Sequence, residues 1–352
     1  LSSLLLALYG LQNQTMDLVD FSDNSRRDLP TILDMKNTKY LHNTCIKQLN
    51  LRKNGIAGMS SRSFRIDSPG LKCLRRLDLS CNKLSSFGKS LSMKLLFGAT
   101  NIEIIEFQNQ KAFNVGDNNR HTGGHSRQPD YTLQLNTARS LRVFNFRAAL
   151  HELARLPKGI NFTHGGNITT LNLAYDGAYN CDTTITGLTA ITDFDFSGND
   201  CHVLGTGLFQ HMTTLRRLNI SNVHVTQDFL LVNGSGLLRS LRGLEVLDLS
   251  DNDLMVWPED LLRHQLSLSW LGLARNRFQT VPVDVSMQTS LSHLDLSHNM
   301  IPSLDPDVRQ TLDNLAANHT VTLSLRGNPL TCTCKSLDMV RWLATTVVRL
   351  DG

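Results

Sequence analysis

Several kinds of side chain in this sequence could carry chemistry, and their spacing decides which kind. Acidic residues recur in a row that includes Asp20, Asp78, Asp248 and Asp295. Such a row could bind a cation, and close carboxylate pairs could serve acid–base catalysis if they lined a pocket. The ordinary alternative is a solvent-facing row. Because no nucleophile motif, phosphate-binding loop or dinucleotide fingerprint occurs, we expect no enzyme, metal site or cofactor.

Basic and apolar clusters are the candidates for binding a ligand. Arginines on an exposed strand surface could pair with phosphates or carboxylates. The candidate ligand-binding residues are two arginine pairs and one apolar run, namely Arg142, Arg147, Arg216, Arg217, Phe229, Leu230 and Leu231. Each set has an ordinary alternative, because arginines also occupy solvated edges and leucines also fill a core.

The scaffold that must position these residues is a repeat. Three stretches, beginning at Leu244, Leu268 and Leu291, read Leu-x-x-Leu-x-Leu-x-x-Asn with a period of 23 to 24 residues. This is the leucine-rich repeat pattern. One coil cannot bury its apolar edge alone, so the coils must stack. The alternating Leu-x-Leu predicts a short parallel strand, and a buried Asn satisfies backbone groups where the chain turns out of it.

Extending this frame outward predicts twelve coils, which begin at Met16, Ile46, Leu74, Ile102, Leu141, Ile168, Ile191, Leu215, Leu244, Leu268, Leu291 and Thr320. The turn position holds asparagine in eight of them, at Asn24, Asn54, Asn82, Asn199, Asn252, Asn276, Asn299 and Asn328. In the other four it holds Gln110, Ala149, Asp176 and Val223. We expect the broken asparagine row to loosen the register between coils.

The expected fold class is α/β, a leucine-rich repeat solenoid or horseshoe with short parallel strands on the concave face and loops or short helices on the convex side. We divide the chain into N-terminal repeats with a truncated start, irregular central repeats, regular C-terminal repeats and a partial cysteine cap, at 1–101, 102–240, 241–329 and 330–352. The central part contains a polar insert at 114–130, which has no apolar period and predicts a surface loop.

Composition indicates a folded protein in an oxidising compartment. The 352 residues are 41% hydrophobic and 19% charged, with a net charge of +4 that does not by itself suggest nucleic acid. No run of about 18 apolar residues occurs. Seven cysteines accompany six N-x-Ser/Thr sequons, at Asn13, Asn161, Asn167, Asn219, Asn233 and Asn318. Together they favour a secreted or luminal protein that carries N-linked glycans.

The cysteines allow two disulfides to be considered. Cys45 and Cys73 each precede the first position of consecutive coils, and equivalent residues on adjacent parallel strands lie at a disulfide's Cα separation. We therefore expect that bridge. Cys181 and Cys201 occupy core-facing positions of neighbouring coils, where either a bridge or two buried thiols would fit. Cys81, on a strand edge, is left over.

The C-terminal stretch resembles the cysteine cap of extracellular leucine-rich repeat proteins. It contains Cys332-Thr-Cys334, and Trp342 follows on a predicted short helix. The resemblance implies that the tryptophan covers the end of the core and that two later cysteines pair with these two. Since none follows before Gly352, we expect the chain to be a fragment cut inside its cap.

Coils of 28 to 39 residues, an irregular centre, multiple sequons and this cap are most similar to the ectodomains of Toll-like receptors. The resemblance implies that a microbial ligand (lipid, lipopeptide or nucleic acid), alone or on an accessory protein, joins the chain to a second copy or a related receptor. It also implies a place on the extracellular side of a single-pass receptor, at the plasma membrane or in endosomes. The alternative is an extracellular adhesion or matrix protein that binds other proteins.

Overall fold

The computed structural model describes residues 10–23, 43–56, 69–84, 100–110, 130–149, 156–201, 203–282, 286–331 and 337–351. The chain forms two compact units. Unit 1 contains residues 1–178 and 185–191, and unit 2 contains residues 179–184 and 192–352. Both units consist of short parallel strands joined by turns, loops and a few helices.

The described strands are β1 (Thr15–Asp20), β2 (Cys45–Asn50), β3 (Arg76–Asp78), β4 (Ile104–Glu106), β5 (Thr132–Leu135), β6 (Val143–Asn145), β7 (Gly159–Phe162), β8 (Thr170–Asn172), β9 (Asn180–Cys181), β10 (Thr184–Thr186), β11 (Asp193–Asp195), β12 (Val203–Leu204), β13 (Arg217–Asn219), β14 (Val246–Asp248), β15 (Trp270–Gly272), β16 (His293–Asp295), β17 (Thr322–Ser324) and β18 (Arg349–Asp351). The helices are α1 (Pro69–Cys73), α2 (Gln227–Leu238), α3 (Pro306–Asn318) and α4 (Leu337–Thr345), with a 3-10 turn at Gly165–Asn167. No helix in the described ranges is both long and apolar enough to cross a membrane.

The main sheet of unit 1 has the order β1-β2-β3-β4-β6-β8, and its strand pairs are parallel. We number repeat positions from the first leucine of each coil. Position 4 then pairs with position 4 along the sheet, through Leu49, Leu77, Ile105, Phe144 and Leu171. A smaller sheet contains β5 and β7 as a parallel pair. The predicted coils therefore have the predicted strands.

The main sheet of unit 2 has the order β11-β13-β14-β15-β16-β17-β18, again with parallel neighbours. Its core comes from positions 1, 4 and 6, where Leu244, Leu247 and Leu249 are at most 1% exposed. Phe209 enters this core from the side opposite the strands and lies 5.9 Å from the ring of Phe194. This is the leucine-rich repeat fold that the periodicity predicted.

The asparagine at position 9 holds successive coils together. The Asn276 amide nitrogen donates to the carbonyls of Leu249 at 3.1 Å and Leu273 at 3.0 Å. Its carbonyl oxygen accepts from the backbone N–H groups of Asn252 at 3.1 Å and Leu254 at 3.0 Å. One buried side chain thus satisfies polar groups of two coils, which an apolar residue could not do.

Two of the four non-asparagine residues make comparable bonds, so the expectation of a loosened register is wrong for the described strands. The Gln110 amide donates to the carbonyls of Leu79 and Phe107, each at 3.0 Å. A carboxylate oxygen of Asp176 accepts from the Ala149 N–H at 2.8 Å. Because these side chains still bond the turn, β3, β4, β6 and β8 pair without a register shift.

One disulfide is found in the described part of each unit. In unit 1 Cys45 is bonded to Cys73 with the Cα atoms 5.3 Å apart, and in unit 2 Cys181 is bonded to Cys201 at 5.5 Å. The second pair settles the choice between a bridge and buried thiols in favour of the bridge. Cys81 is a free thiol. The part of the chain that the structure describes does not include Asn24, Cys332, Cys334 or residues 114–129.

At the β18 edge of unit 2, α4 carries a largely buried Trp342. The indole N–H donates to a carboxylate oxygen of Asp313 on α3 at 2.8 Å. Met339 on the same helix is also buried. Because a buried indole N–H needs an acceptor, Asp313 fixes the ring in place and joins α4 to α3.

Candidate ligand-binding site

The strand face of unit 2 is the surface where side chains from successive coils come together. Residues at position 3 align in one row, namely Asp193, Arg217, Val246, Trp270, His293, Thr322 and Arg349. Residues at position 5 align in a second row, namely Asp195, Asn219, Asp248, Gly272, Asp295, Ser324 and Asp351. Since neighbouring strands lie about 4.8 Å apart, these side chains form one continuous surface.

The acidic and amide side chains at position 5 have a local structural role. The Asp248 carboxylate accepts from the Ser250 backbone N–H at 3.0 Å, and the Asn219 amide oxygen accepts from the Ser221 N–H at the same distance. Each bond closes a turn where the strand ends. Among the described residues, no three His, Cys, Asp or Glu side chains are close enough to hold a metal ion.

Gly272 interrupts this row, and the ring of Trp270 lies over it. The place where a Cβ of residue 272 would sit is 2.4 Å from Trp270 Cη2 and 2.7 Å from Asp248 Oδ1. Any larger side chain at position 272 would collide with both groups. The missing side chain therefore leaves room for the indole ring over residue 272, beside the Asp248 carboxylate.

This arrangement perturbs Asp248. Burial raises the pKa of its carboxyl group above the ordinary value, and this is the largest effect. The hydrogen bonds from Ser250 act in the opposite direction, whereas the charges of Asp295 and Asp251 raise the pKa further. A cationic or hydrogen-bond-donating ligand placed here would relieve a carboxylate that is already short of solvent.

A polar groove of about 400 Å³ lies on the same face. Small residues at position 7, Ser250, Ala274 and Ser297, line it, and Asp295 and Asp351 border it from position 5. Asp251, Arg275 and His298 stand along it at position 8, where the backbone has positive φ values of 53° to 59°. The repeat itself creates this groove. Three successive coils place a small residue at position 7 and a larger one at position 8, so the larger side chains form a wall beside the small ones.

The charges in the polar groove are partly paired. Arg275 lies 3.6 Å from the Asp251 carboxylate. Arg326 is exposed and makes no ion pair within the described ranges. Gly327, with φ +75°, leaves room for the His298 ring, whose Nδ1 lies 2.5 Å from the place of a Cβ. The groove therefore offers carboxylate, guanidinium, imidazole and hydroxyl groups to one ligand.

The predicted arginines of unit 2 are occupied by neighbouring coils. Arg216 pairs with Glu245, and Arg217 pairs with Asp193. The Asp193 carboxylate raises the pKa of the Arg217 guanidinium. Similar pairs connect equivalent positions of neighbouring coils elsewhere, at Lys47–Asp17, Lys53–Asp23, Arg75–Glu103 and Arg277–Asp253. An acidic residue one period away from a basic one was the sequence signal for these contacts.

The predicted arginines of unit 1 flank β6 at opposite ends. The Arg147 guanidinium lies over the ring of Tyr175, 4.7 Å from its centroid, in a cation–π contact. Arg142 is exposed and makes no ion pair with any described residue. The two side chains thus do not form one anion site, although each remains a predicted ligand contact.

The predicted apolar run lies at the start of α2. Thr226 caps this helix by accepting from the Phe229 N–H at 3.3 Å. Leu230 is 1% exposed and fills the core, as the ordinary alternative held, whereas Leu231 is 51% exposed. The helix therefore places Leu230 in the core and Leu231 at the surface. Ligand binding by the apolar run stays a prediction.

The six predicted glycosylation sites differ in the hydrogen bonds that their asparagine side chains make. The Asn161 amide nitrogen donates to Gln134 at 2.7 Å, and its oxygen accepts from Thr186 at 2.9 Å. Amide nitrogens also donate to backbone carbonyls at Asn167 and Asn318. The Asn219 oxygen bonds the turn of β13, Asn13 is exposed before β1, and Asn233 lies on α2.

The fold and the strand face define this chain as a leucine-rich repeat protein. A family profile described as Leucine Rich repeat matches residues 42–58 and 70–88.

The chain is similar to named proteins of two kinds, a Toll-like receptor and a trophoblast glycoprotein. It is 27% identical over 171 residues to Toll-like receptor 4 of Pinctada imbricata, over 49% of this chain and 19% of that protein. It is 34% identical over 110 residues to trophoblast glycoprotein of Macaca fascicularis, over 31% of this chain and 26% of that protein. Among solved structures, human 5T4 (trophoblast glycoprotein) gives a TM-score of 0.45 at 22% identity, covering 56% of this chain and 78% of that chain. The chain thus matches about a quarter or less of the length of these two curated relatives.

Proposed function

We propose that this chain is the ligand-recognition part of an innate-immune receptor of Toll-like type, and that unit 2 supplies the main ligand contact. The observation that carries the proposal is the half-buried indole of Trp270, whose ring lies over Gly272 on the face that also holds the polar groove. Tryptophan and arginine supply much of the binding energy at protein interfaces, and strands hold a site more rigidly than loops. Similarity to a Toll-like receptor over 171 residues supports the receptor class.

The charges of the polar groove favour a peptide or lipopeptide over nucleic acid. With Arg275 paired to Asp251, the remaining charged groups are Asp295, Asp351 and Arg326. Two carboxylates against one guanidinium would repel a chain of phosphates. Amide and ammonium groups of a peptide ligand would instead find acceptors here.

The physical work of such a receptor is differential binding, without catalysis. A ligand that contacts two copies of the chain, or one copy and a related receptor, stabilises the pair by the contacts it makes only there. We place the chain on the extracellular side of a membrane receptor, with an accessory protein as a further partner. Its disulfides and its named relatives support this placement.

Light scattering tests the proposal directly. We expect the purified chain to dimerise with a synthetic lipopeptide, but not with lipopolysaccharide or single-stranded RNA, at pH 7 and at pH 5.5. Trp270→Ala and Arg326→Ala should each weaken ligand-dependent dimerisation at least tenfold, with unchanged circular dichroism, because the second change removes a guanidinium that can donate to peptide carbonyls. Arg263→Ala removes an exposed arginine whose only ion pair with a described residue is the local one to Asp260, and it serves as the control. Equal dimerisation by all three variants would contradict the assignment of the site.

The second candidate is an adhesion protein that binds other cell-surface or matrix proteins. The observation that favours it is the 34% identity to trophoblast glycoprotein, which is higher than the identity to the Toll-like receptor although it covers a shorter stretch. A chain that stays monomeric with every ligand but is retained by cell-surface proteins, and loses that retention in Trp270→Ala, would support this candidate instead.

A further inference from the structure

Helix α2 has one side packed on unit 2 and one side uncovered. Leu230, Leu237 and Leu238 are buried, and the place of a Cβ on Gly234 is 3.0 Å from the Leu261 side chain. Val232, in contrast, is 79% exposed. Beside it lies a groove of about 780 Å³, which we call the α2 groove. Its volume is within the range of about 300–1,000 Å³ that small-molecule sites cover.

A glycosylation sequon lies in this groove. Asn233 and Ser235, its first and third residues, both line the α2 groove. The Asn233 side chain makes no hydrogen bond with any described residue, whereas the Asn161 amide bonds both Gln134 and Thr186. The Asn233 amide is therefore free to carry a sugar whose first ring would begin inside the groove.

The groove walls match the chemistry of an N-acetylhexosamine. Arg239 and Arg242 are exposed, line the groove and make no ion pair within the described part of the chain, so their guanidinium groups can donate to sugar hydroxyl and acetamido oxygens. Thr206 and Gln210 add donors and acceptors. Val232 offers an apolar surface for the acetamido methyl group and the C–H face of the ring.

We propose that the innermost N-acetylglucosamine residues of an N-linked glycan on Asn233 occupy the α2 groove and cover the exposed side of α2. The inference rests on the secretory setting of the proposed function, although it does not depend on the ligand. The glycan is a better occupant than a soluble ligand because its attachment point is part of the groove wall. Attachment removes the translational entropy cost that a free sugar would face.

Site-resolved deglycosylation tests this inference on the full chain secreted from eukaryotic cells. Mass spectrometry of glycopeptides should find a glycan on Asn233. Under native conditions, peptide-N-glycosidase should release it at least tenfold more slowly than the glycan on Asn318, the matched control at the exposed end of α3. After denaturation the two release rates should become equal, because the difference arises from the folded groove.

Two variants separate a seated sugar from a generally slow site. Gly236→Trp fills the groove, and the fold has room for it because a Cβ on residue 236 has only Thr206 Cγ2 within 4 Å, at 3.8 Å. Arg239→Ala instead removes a hydrogen-bond donor and leaves the groove open. Both should bring native release at Asn233 to within twofold of the Asn318 rate. Equal native rates in the unaltered chain, or an unmodified Asn233 beside glycosylated Asn13 and Asn318, would overturn the inference and leave the receptor proposal standing. An absence of glycan at all six sequons would overturn both.

Discussion

Unit 1 and unit 2 have the same strand register but hold their turns with different side chains. Unit 2 uses consecutive asparagines, Asn252, Asn276, Asn299 and Asn328, each of which donates to the position-6 carbonyls of two coils. Unit 1 changes after Asn54 and Asn82 to Gln110 and, further on, Asp176. The comparison teaches that asparagine is one of several buried side chains that can bond the turn. The coils with Ala149 and Val223 at this position keep their register without such a side chain.

The cores and the strand faces differ as well. Unit 1 packs aromatic rings in its later coils, with the Phe146 ring centroid 4.1 Å from that of Phe144 and 4.9 Å from that of Phe107. Unit 2 begins with a similar cluster of Phe194, Phe196 and Phe209, and its later coils pack mainly leucines. The described strand face of unit 1 carries ion pairs such as Arg76–Glu106, whereas that of unit 2 carries Trp270 and the polar groove. Exposed ion pairs contribute about 0–1 kcal/mol each to folding stability, and their charges are already paired with one another. We therefore expect binding to concentrate in unit 2.

The largest effect is expected from a substitution that interrupts the asparagine row of unit 2. Asn276→Leu leaves the N–H groups of Asn252 and Leu254 without an acceptor, although the carbonyls of Leu249 and Leu273 keep donors from Asn252 and Asn299. Two buried unsatisfied N–H groups should lower the free energy of unfolding of unit 2 by about 4 kcal/mol. Hydrogen-exchange mass spectrometry, read on peptides of each unit, measures this loss.

The control for this change is the adjacent exposed residue. Arg277→Leu removes an ion pair to Asp253 and should cost less than about 1 kcal/mol. If Asn276→Leu cost no more than this control, the row would not be what holds the coils of unit 2 together.

The next effect compares the two disulfides. Cys45–Cys73 closes a loop with a sequence separation of 28, and Cys181–Cys201 one of 20. Replacing both cysteines of either bridge with alanine should destabilise the unit that contains it by about 3 kcal/mol through the larger entropy of its unfolded chain. Exchange in the other unit should not change outside residues 185–191, which belong to unit 1 but lie within the loop that Cys181–Cys201 closes. A loss in both units from one replacement would show that they unfold as one body and would weaken the comparison itself.

A smaller effect tests the substitute in unit 1. Gln110→Leu leaves the Leu84 N–H and the Phe107 carbonyl without the bonds they now make to Gln110, whereas the Leu79 carbonyl keeps Asn82. We expect a loss of about 2–3 kcal/mol in unit 1, measured by the same exchange experiment. Gln110→Asn should recover only part of it, because the shorter side chain must move to reach the same groups. A fully stable Gln110→Leu would mean that the aromatic core alone fixes this turn.

The repeat frame could be predicted from sequence because it depends on periodic burial. Leucines at positions 1, 4 and 6 specify the core, and the register places Cys45 beside Cys73 without any knowledge of distant contacts. The role of Gln110 was not predicted, because the repeat pattern specifies asparagine at position 9, whereas glutamine carries the same amide group and can bond the same carbonyls.

The candidate site was harder to predict because it depends on how side chains lie across coils. Arg216 and Arg217 looked like free cations until the fold placed Glu245 and Asp193 beside them. Trp270 is an unremarkable residue at position 3 unless one knows that Gly272 leaves space for its ring. A glycine at position 5, two residues after a tryptophan, was the only signal in the sequence.

The smallest expected effect is a pH-dependent change in the stability of unit 2 caused by Asp248. Since burial raises its pKa in the folded protein, the stabilising contribution of Asp248 is present below the unfolded value of about 3.9 and is lost as the pH rises through the folded value. Asp248→Asn keeps the acceptor for the Ser250 N–H, as Asn219 does for Ser221. It should therefore stabilise unit 2 by up to about 1 kcal/mol at pH 7 and have no such advantage near pH 3.5.

Urea unfolding of both forms between pH 3.5 and pH 7 measures this difference, and Trp270→Ala supplies the control. Removing the ring that covers Asp248 should restore water to the carboxylate and shrink the advantage of Asp248→Asn at pH 7. If the advantage persisted without the ring, the burial of Asp248 would come from the sheet alone. If it were absent at every pH, Asp248 would not distinguish unit 2 from unit 1, where position 5 holds the carboxylates Asp78 and Glu106 as well as Asn145 and Asn172.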